Sequence, residues 1–178
     1  TTATGLPRNH NDLQAAWADF DNDGDTDLVL GTELYRNEDG TRFVLVEAET
    51  SGLELEEGTG FAVADVDRDG LLDLYVVGID RSTSGQKWIG KNDSNHNQLW
   101  HNRGELKFQN VTSSTGTAGR GTSTFAAVFF DANADGWPDL MTACEFGAND
   151  FLLNNRDGTF REVPLPEIYG GFSMGLTV

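Results

Sequence analysis

The chain has 178 residues, which allows one ordinary domain or a piece of a larger protein. Its 29 acidic residues against 12 basic ones give a formal net charge of −17, which excludes a phosphate-backbone binder and disfavours an anionic membrane surface. No apolar run, including the hexapeptide 125–130, approaches the roughly 20 residues of a membrane span. The single cysteine, Cys144, excludes an intramolecular disulfide framework, and 21 Gly with 11 Phe point to short strands joined by tight turns.

The elements repeat in chain order. Residues 1–11, with Thr4-Gly5-Leu6, read as the tail of a preceding unit, because Ser51-Gly52-Leu53 stands similarly before the second acidic block. The first unit, 12–58, holds the run Ala15-Ala16-Trp17-Ala18, an acidic block at 19–27 and a second run from Leu28. Leu34-Tyr35-Arg36-Asn37, an Asp39-Gly40 turn and Phe43 follow. The second unit, 59–122, repeats this with a block at 65–73, then Leu99-Trp100-His101-Asn102, Arg103-Gly104 and Phe108. It carries an insertion at 79–97. The third unit, 123–172, has its block at 131–139, then Leu152-Leu153-Asn154-Asn155, Asp157-Gly158 and Phe160. Gly175-Leu176-Thr177-Val178 matches Gly60-Phe61-Ala62-Val63, so 173–178 reads as the start of a next unit.

Each unit is therefore strand, acidic loop, strand, connector, strand, glycine turn, strand. Four short strands per unit of this size describe a β-propeller blade. The fold expected is all-β: a partial propeller of about three four-stranded blades with loops between the first and second strands. Three blades do not close a ring of about four to eight, so further blades or partner subunits are expected at the open edges.

The blocks share the pattern D-x-[DN]-x-D-G-x-x-D. Carboxylates packed this densely repel one another unless a cation compensates them. Positions 1, 3, 5 and 9 supply side-chain oxygens, the glycine at 6 permits the bend, and the position-7 carbonyl (Asp25, Leu71, Trp137) adds a neutral oxygen. An all-oxygen, flexible donor set suits Ca²⁺ better than Mg²⁺ or Zn²⁺. Asn133 leaves the third loop one carboxylate short, so weaker binding is expected there. An EF-hand would need Glu at position 12, where Leu30, Val76 and Thr142 stand, and would need helical flanks. The competing reading is of solvated Asp-Gly turns; three blocks in register argue against it.

These motifs resemble FG-GAP/VCBS repeats, the blades of integrin-α-like propellers and of secreted ASPIC/UnbV and cartilage-acidic-protein-like proteins. The resemblance spans the chain, although the literal Phe-Gly…Gly-Ala-Pro string is missing, which favours the VCBS-like branch. It implies about three Ca²⁺ sites. The ligands implied are Asp19, Asp21, Asp23, Asp25 (carbonyl) and Asp27; Asp65, Asp67, Asp69, Leu71 (carbonyl) and Asp73; and Asp131, Asn133, Asp135, Trp137 (carbonyl) and Asp139.

Little points to catalysis. His10, His96 and His101 are scattered, a glutamate such as Glu145 stands at an unremarkable position, and no nucleophile elbow, phosphate loop or zinc spacing is present. The reading is a calcium-binding module for adhesion, binding or scaffolding within a larger protein or complex, with no catalytic residue. The alternative is part of a Ca²⁺-dependent polysaccharide lyase or hydrolase, or a lectin. The insertion holds Arg81, Lys87, Trp88, Lys91 and His96, a basic and aromatic set suited to a protein or glycan ligand, or else a capping loop. Trp17 and Trp100 are expected in the core, and Trp137 exposed. Asn92 and Asn110 stand in N-glycosylation sequons. Weak calcium sites stay filled outside the cytosol, so an extracellular, cell-surface or periplasmic location is expected.

Overall fold

A computed structural model of the chain describes residues 4–7, 14–55, 60–78, 97–119, 123–144, 148–164 and 176. Among these residues, twelve strands form three four-stranded antiparallel sheets, each laid down in chain order. The first contains β1 (Ala15–Ala18), β2 (Asp27–Leu30), β3 (Glu33–Glu38) and β4 (Arg42–Val46), followed by the one-turn helix α1 (Ala48–Ser51). The second contains β5 (Gly60–Ala64), β6 (Asp73–Val77), β7 (Gln98–Asn102) and β8 (Phe108–Asn110), followed by α2 (Thr112–Thr115). The third contains β9 (Thr124–Phe130), β10 (Asp139–Cys144), β11 (Phe151–Asn154) and β12 (Phe160–Glu162). This is the all-β partial propeller expected, and each acidic loop joins the first strand of a blade to its second. Among the described residues no helix is long and apolar enough to cross a membrane.

Side chains alternate across a strand, so a blade between two others needs apolar residues on both faces. β6 meets that need, with every residue buried. Leu74 and Val76 pack toward the first blade, joining Ala16, Phe20, Val29 and Leu34. Tyr75 and Val77 point the other way and join Leu140, Leu152 and Phe160 of the third. Burying each such side chain stabilises the fold by about 1.5–3 kcal/mol. The core is thus two slabs between three blades.

Trp100 is buried, as expected, but Trp17 is 56% exposed. Trp17 pairs with Leu28, Leu28 with Tyr35, and Tyr35 with Leu45, which forms one row across the first sheet. The equivalent row of the second blade, Val63, Leu74 and Trp100, packs onto the first blade. Trp17 therefore lies on the face directed away from the second blade, where its ring meets that of Phe43 edge-on. Its exposure corrects the expected core position.

A second correction concerns register. Leu28 pairs with Tyr35, Leu74 with Trp100 and Leu140 with Leu152. The third-blade counterpart of Asn37 and Asn102 is accordingly Asn154, not Asn155, and the counterpart of His101 is Leu153. In this register each Asn pairs with the fourth-strand Phe: Asn37 with Phe43, Asn102 with Phe108, Asn154 with Phe160.

The connectors between blades also repeat. Gly52 has φ +71 and a Cβ there would come within 2.8 Å of the Phe108 carbonyl; Gly116 has φ +77 and the same encounter with Phe160 at 2.9 Å. A left-handed residue pressed against a strand's backbone must be glycine. Gly5 occupies the same place against Phe43, and the neighbouring Thr4 carbonyl accepts the Phe43 N–H at 2.8 Å. Of the insertion 79–97, only Asn97 lies among the described residues; it is buried and donates to Thr124 Oγ1 at 3.1 Å. Asn92, His10, His96 and Glu145 lie outside them, as does 173–178 except Leu176. The Asn110 sequon has a structural use: Asn110 Oδ1 accepts from both the N–H and the hydroxyl of Thr112.

Candidate metal centres

The three acidic loops fold on one scaffold of backbone N–H groups donated to carboxylates. The first residue of each loop accepts two: Asp23 and Gly24 N–H on Asp19, Asp69 and Gly70 on Asp65, Asp135 and Gly136 on Asp131, all between 2.8 and 3.2 Å. The third residue (Asp21, Asp67, Asn133) accepts the N–H of the fifth at 2.9–3.3 Å. The fifth residue (Asp23, Asp69, Asp135) accepts from Asp25, Leu71 and Trp137, which fixes the residue whose carbonyl is the expected neutral donor. The turn requires left-handed residues at its fourth and sixth positions: Asn22, Arg68 and Ala134, with Gly24, Gly70 and Gly136.

The ninth residue has a different place. Asp27, Asp73 and Asp139 are wholly buried at the start of each second strand. One oxygen of each accepts from the second loop residue (Phe20, Val66, Ala132) at 3.0 Å. The other accepts the N–H of Asn37, Asn102 or Asn154 at 2.8–2.9 Å. Each therefore ties its loop to the third strand. Burial raises Asp27 to about 6 and Asp73 to about 7, against the downward pull of those backbone bonds.

Donor oxygens converge unequally. In the first loop, Asp19, Asp21 and Asp27 bring oxygens within 4.8 Å of one another, as do Asp65, Asp67 and Asp69 in the second. Burial, and after it the neighbouring Asp23, raise the Asp21 carboxyl above its usual range. The third loop differs. Arg156 donates to Asp135 Oδ2 at 2.9 Å and holds its carboxyl below the usual range, while the Asn133 amide donates to the same oxygen at 3.1 Å. Trp137, half-buried rather than exposed, lies under the Arg68 guanidinium, 5.6 Å from the ring centre.

One residue that the loop pattern does not contain joins the second site. His101, on β7, is 6% exposed. Its Nδ1 lies 3.1 Å from Asp73 Oδ1, and its Nε2 lies 3.6 Å from Asp67 Oδ2 and 3.7 Å from Asp69 Oδ2. Burial, with Arg103 beside it, lowers the imidazole pKa and favours the neutral ring. Its strand position could not reveal this, because the contact is between a third strand and a loop 28–34 residues earlier.

The donor chemistry of the first two loops fits a hard divalent cation. It offers several carboxylate oxygens at the spacing of one coordination sphere, pre-oriented by backbone N–H groups on a turn that needs no further folding. Asp19, Asp21, Asp23, Asp27 and the Asp25 carbonyl would hold it in the first loop, with the corresponding residues in the second. A bound ion would supply charge compensation and cross-link loop to strand. Comparison with known proteins agrees with the architecture: an FG-GAP repeat matches residues 13–45, and an FG-GAP-like repeat matches 88–142. No curated protein matches the chain as a relative. The matched segments contain the first and third loops; the second, which neither covers, has the same hydrogen-bond scaffold.

Proposed function

We propose, for a chain that belongs to the FG-GAP repeat family, that it is a calcium-stabilised run of propeller blades. It serves as a binding, adhesion or scaffold module of a larger protein or complex, not as a catalyst. The observation that carries the reading is the threefold recurrence of one carboxylate turn, each anchored through a wholly buried Asp to the third strand of its blade. Such a loop gains most from an ion, because the ion replaces mutual repulsion with shared attraction at no cost in loop ordering.

The first and second loops are the stronger sites. The third is weaker, since Asn133 and Arg156 already reduce its negative charge. Sites of this kind are suited to millimolar Ca²⁺ and hence to an extracellular, cell-surface or periplasmic setting. The exposed Trp17 and Leu45 on the outer face of the first blade support a role for that face in packing against a further blade or a partner subunit. A protein or glycan ligand at the 79–97 insertion completes the proposal; that segment's basic and aromatic residues support it.

Calorimetric titration of metal-stripped protein with Ca²⁺, paired with thermal melts in Ca²⁺ and in EGTA, tests this reading. Binding at two or more sites per chain with a rise in melting temperature is expected. No binding heat and coincident melts would overturn it.

A further inference from the structure

We propose that the outer face of the first blade seats the third blade of a second copy of this chain, head to tail, so that two copies close one ring. The inference deepens the reading of the chain as a run of propeller blades and rests on it. The chain builds the same junction twice. The following blade contributes one row of side chains: Val63, Leu74 and Trp100 on the second blade, Phe129, Leu140 and Leu152 on the third. The preceding blade contributes the opposite row: Ala16, Val29 and Leu34 on the first, Ala62, Tyr75 and Leu99 on the second. An asparagine amide crosses each junction, from Asn102 to the Phe20 carbonyl at 2.7 Å and from Asn154 to the Val66 carbonyl at 2.8 Å.

One further copy of each half is present. Trp17, Leu28 and Tyr35 form the following-blade row on the first blade. Trp17 is 56% exposed and Leu45, at the end of that row, 39%. Val128, Met141 and Phe151 form the preceding-blade row on the third. They are half-buried, whereas their six counterparts on the first two blades are buried beneath the blade that follows. The polar parts match too. Asn37 is more than nine-tenths buried and donates to Thr26 O in its own blade, but among the described residues it reaches no carbonyl of another. On the third blade the carbonyl that corresponds to those of Phe20 and Val66 belongs to Ala132, an exposed residue. Seating the third blade on the first gives the buried Asn37 amide its second acceptor and covers Trp17 with an apolar row.

A second copy fits because it carries both the matching row and the carbonyl, and because no peptide link to it is needed. The connector seat beside the fourth strand, taken by Gly52 at Phe108 and Gly116 at Phe160, is filled at Phe43 by the chain's own Thr4 and Gly5. Contact between two unlike faces of one chain makes a ring when its rotation closes. Two chains of three blades give six, within the range of about four to eight. Each chain carries a net charge of −17, a repulsion that physiological salt screens.

The test is sedimentation of the full chain in Ca²⁺ at physiological ionic strength, over a concentration series reaching the high micromolar range. A mass of two chains is expected. Trp17→Glu and Met141→Glu, each checked for folding by circular dichroism, are both expected to raise the dissociation constant at least tenfold. Mixing the two variants should restore much of the dimer, because one of its two junctions is then unaltered on both sides. A single-chain mass at every concentration overturns the proposal in the wild-type protein and leaves the face to a blade of other origin. Masses that climb past two chains overturn it as well, since the contact then does not close. So does a dimer lost in Trp17→Glu but kept in folded Met141→Glu, which would mean that like faces meet. Calorimetry with Ca²⁺ on the same samples separates the two readings. A single chain that binds Ca²⁺ leaves the calcium-stabilised blades standing, and one that binds none takes both readings down.

Discussion

Asn102 donates its side-chain amide to the Phe20 carbonyl, 2.7 Å away and 82 residues earlier in the chain. The same amide donates to Leu72 O at 3.0 Å within its own blade, and its Oδ1 accepts the Gly104 N–H at 2.9 Å. One blade on, Asn154 repeats all three bonds, to Val66 O, Pro138 O and from Arg156 N–H. Each of these asparagines therefore bolts the third strand of one blade to the acidic loop of the blade before it. Asn37 holds the equivalent position on the first blade, where it donates to Thr26 O but its buried Oδ1 has no partner among the described residues.

The wholly buried Asn102 cannot be truncated without orphaning two carbonyls and an N–H. Asn102→Ala should destabilise the fold by roughly 2–4 kcal/mol, and Asn154→Ala by a similar amount. Asn37→Ala should cost less, because among the described residues it breaks no bond between blades. Asn155→Ala, at an exposed position, should fall within about 0.5 kcal/mol of wild type. Urea melts of the four variants at fixed Ca²⁺ check this. Asn155→Ala proving as costly as Asn154→Ala would contradict the register of the third blade.

That register shows where sequence reasoning reached its limit. Leu152-Leu153-Asn154-Asn155 fits the Leu-x-x-Asn pattern at Asn155, and composition offers no reason to prefer its neighbour. The usable signal was the spacing of six residues from Asn37 to Phe43 and from Asn102 to Phe108, which selects Asn154 from Phe160. The acidic loops were legible because their geometry is local: the hydrogen bonds within each loop span two to seven residues. His101 was not legible as part of a loop site, since it reaches Asp67 and Asp73 only after β6 and β7 pair. Trp17 was misplaced for a similar reason. Its pattern position is apolar in every blade, and what covers it depends on which side of a sheet has a neighbour.

Arg156 competes with any cation in the third loop. Its guanidinium donates to Asp135 Oδ2, a donor atom the ion would need, and the Arg156 side chain is exposed although Asp135 is largely covered, so the arginine can swing out to water and release the carboxylate. Arg156→Gln should raise Ca²⁺ affinity at that loop by several-fold, and Asn133→Asp should add to the gain by restoring the missing carboxylate. Calorimetry on the two variants, with the first two sites filled beforehand, provides the measurement. No change in the weakest site's affinity would show that Arg156 is not the competitor.

Asp73 ties stability to pH when no metal is bound. Its folded pKa, about 7, stands well above the roughly 3.9 of an unfolded Asp, and Asp27, at about 6, adds to the effect. Between these values the native state holds more protons than the unfolded chain, so stability falls as pH rises. With respect to these groups, metal-stripped protein should therefore be most stable at or below about pH 4, and should lose stability progressively from there up to about pH 7. Calcium should flatten that slope, because the ion favours the ionised carboxylates that burial disfavours. Asp73→Asn should flatten it partly even without metal, although at an absolute cost: its amide N–H would face the backbone N–H of Val66 or Asn102, where Asp73 now accepts from both. Melting temperatures across pH 4–8, with and without Ca²⁺, separate the two effects. A stripped protein whose stability rises through this range would mean that Asp73 is ionised in the fold without an ion to hold it.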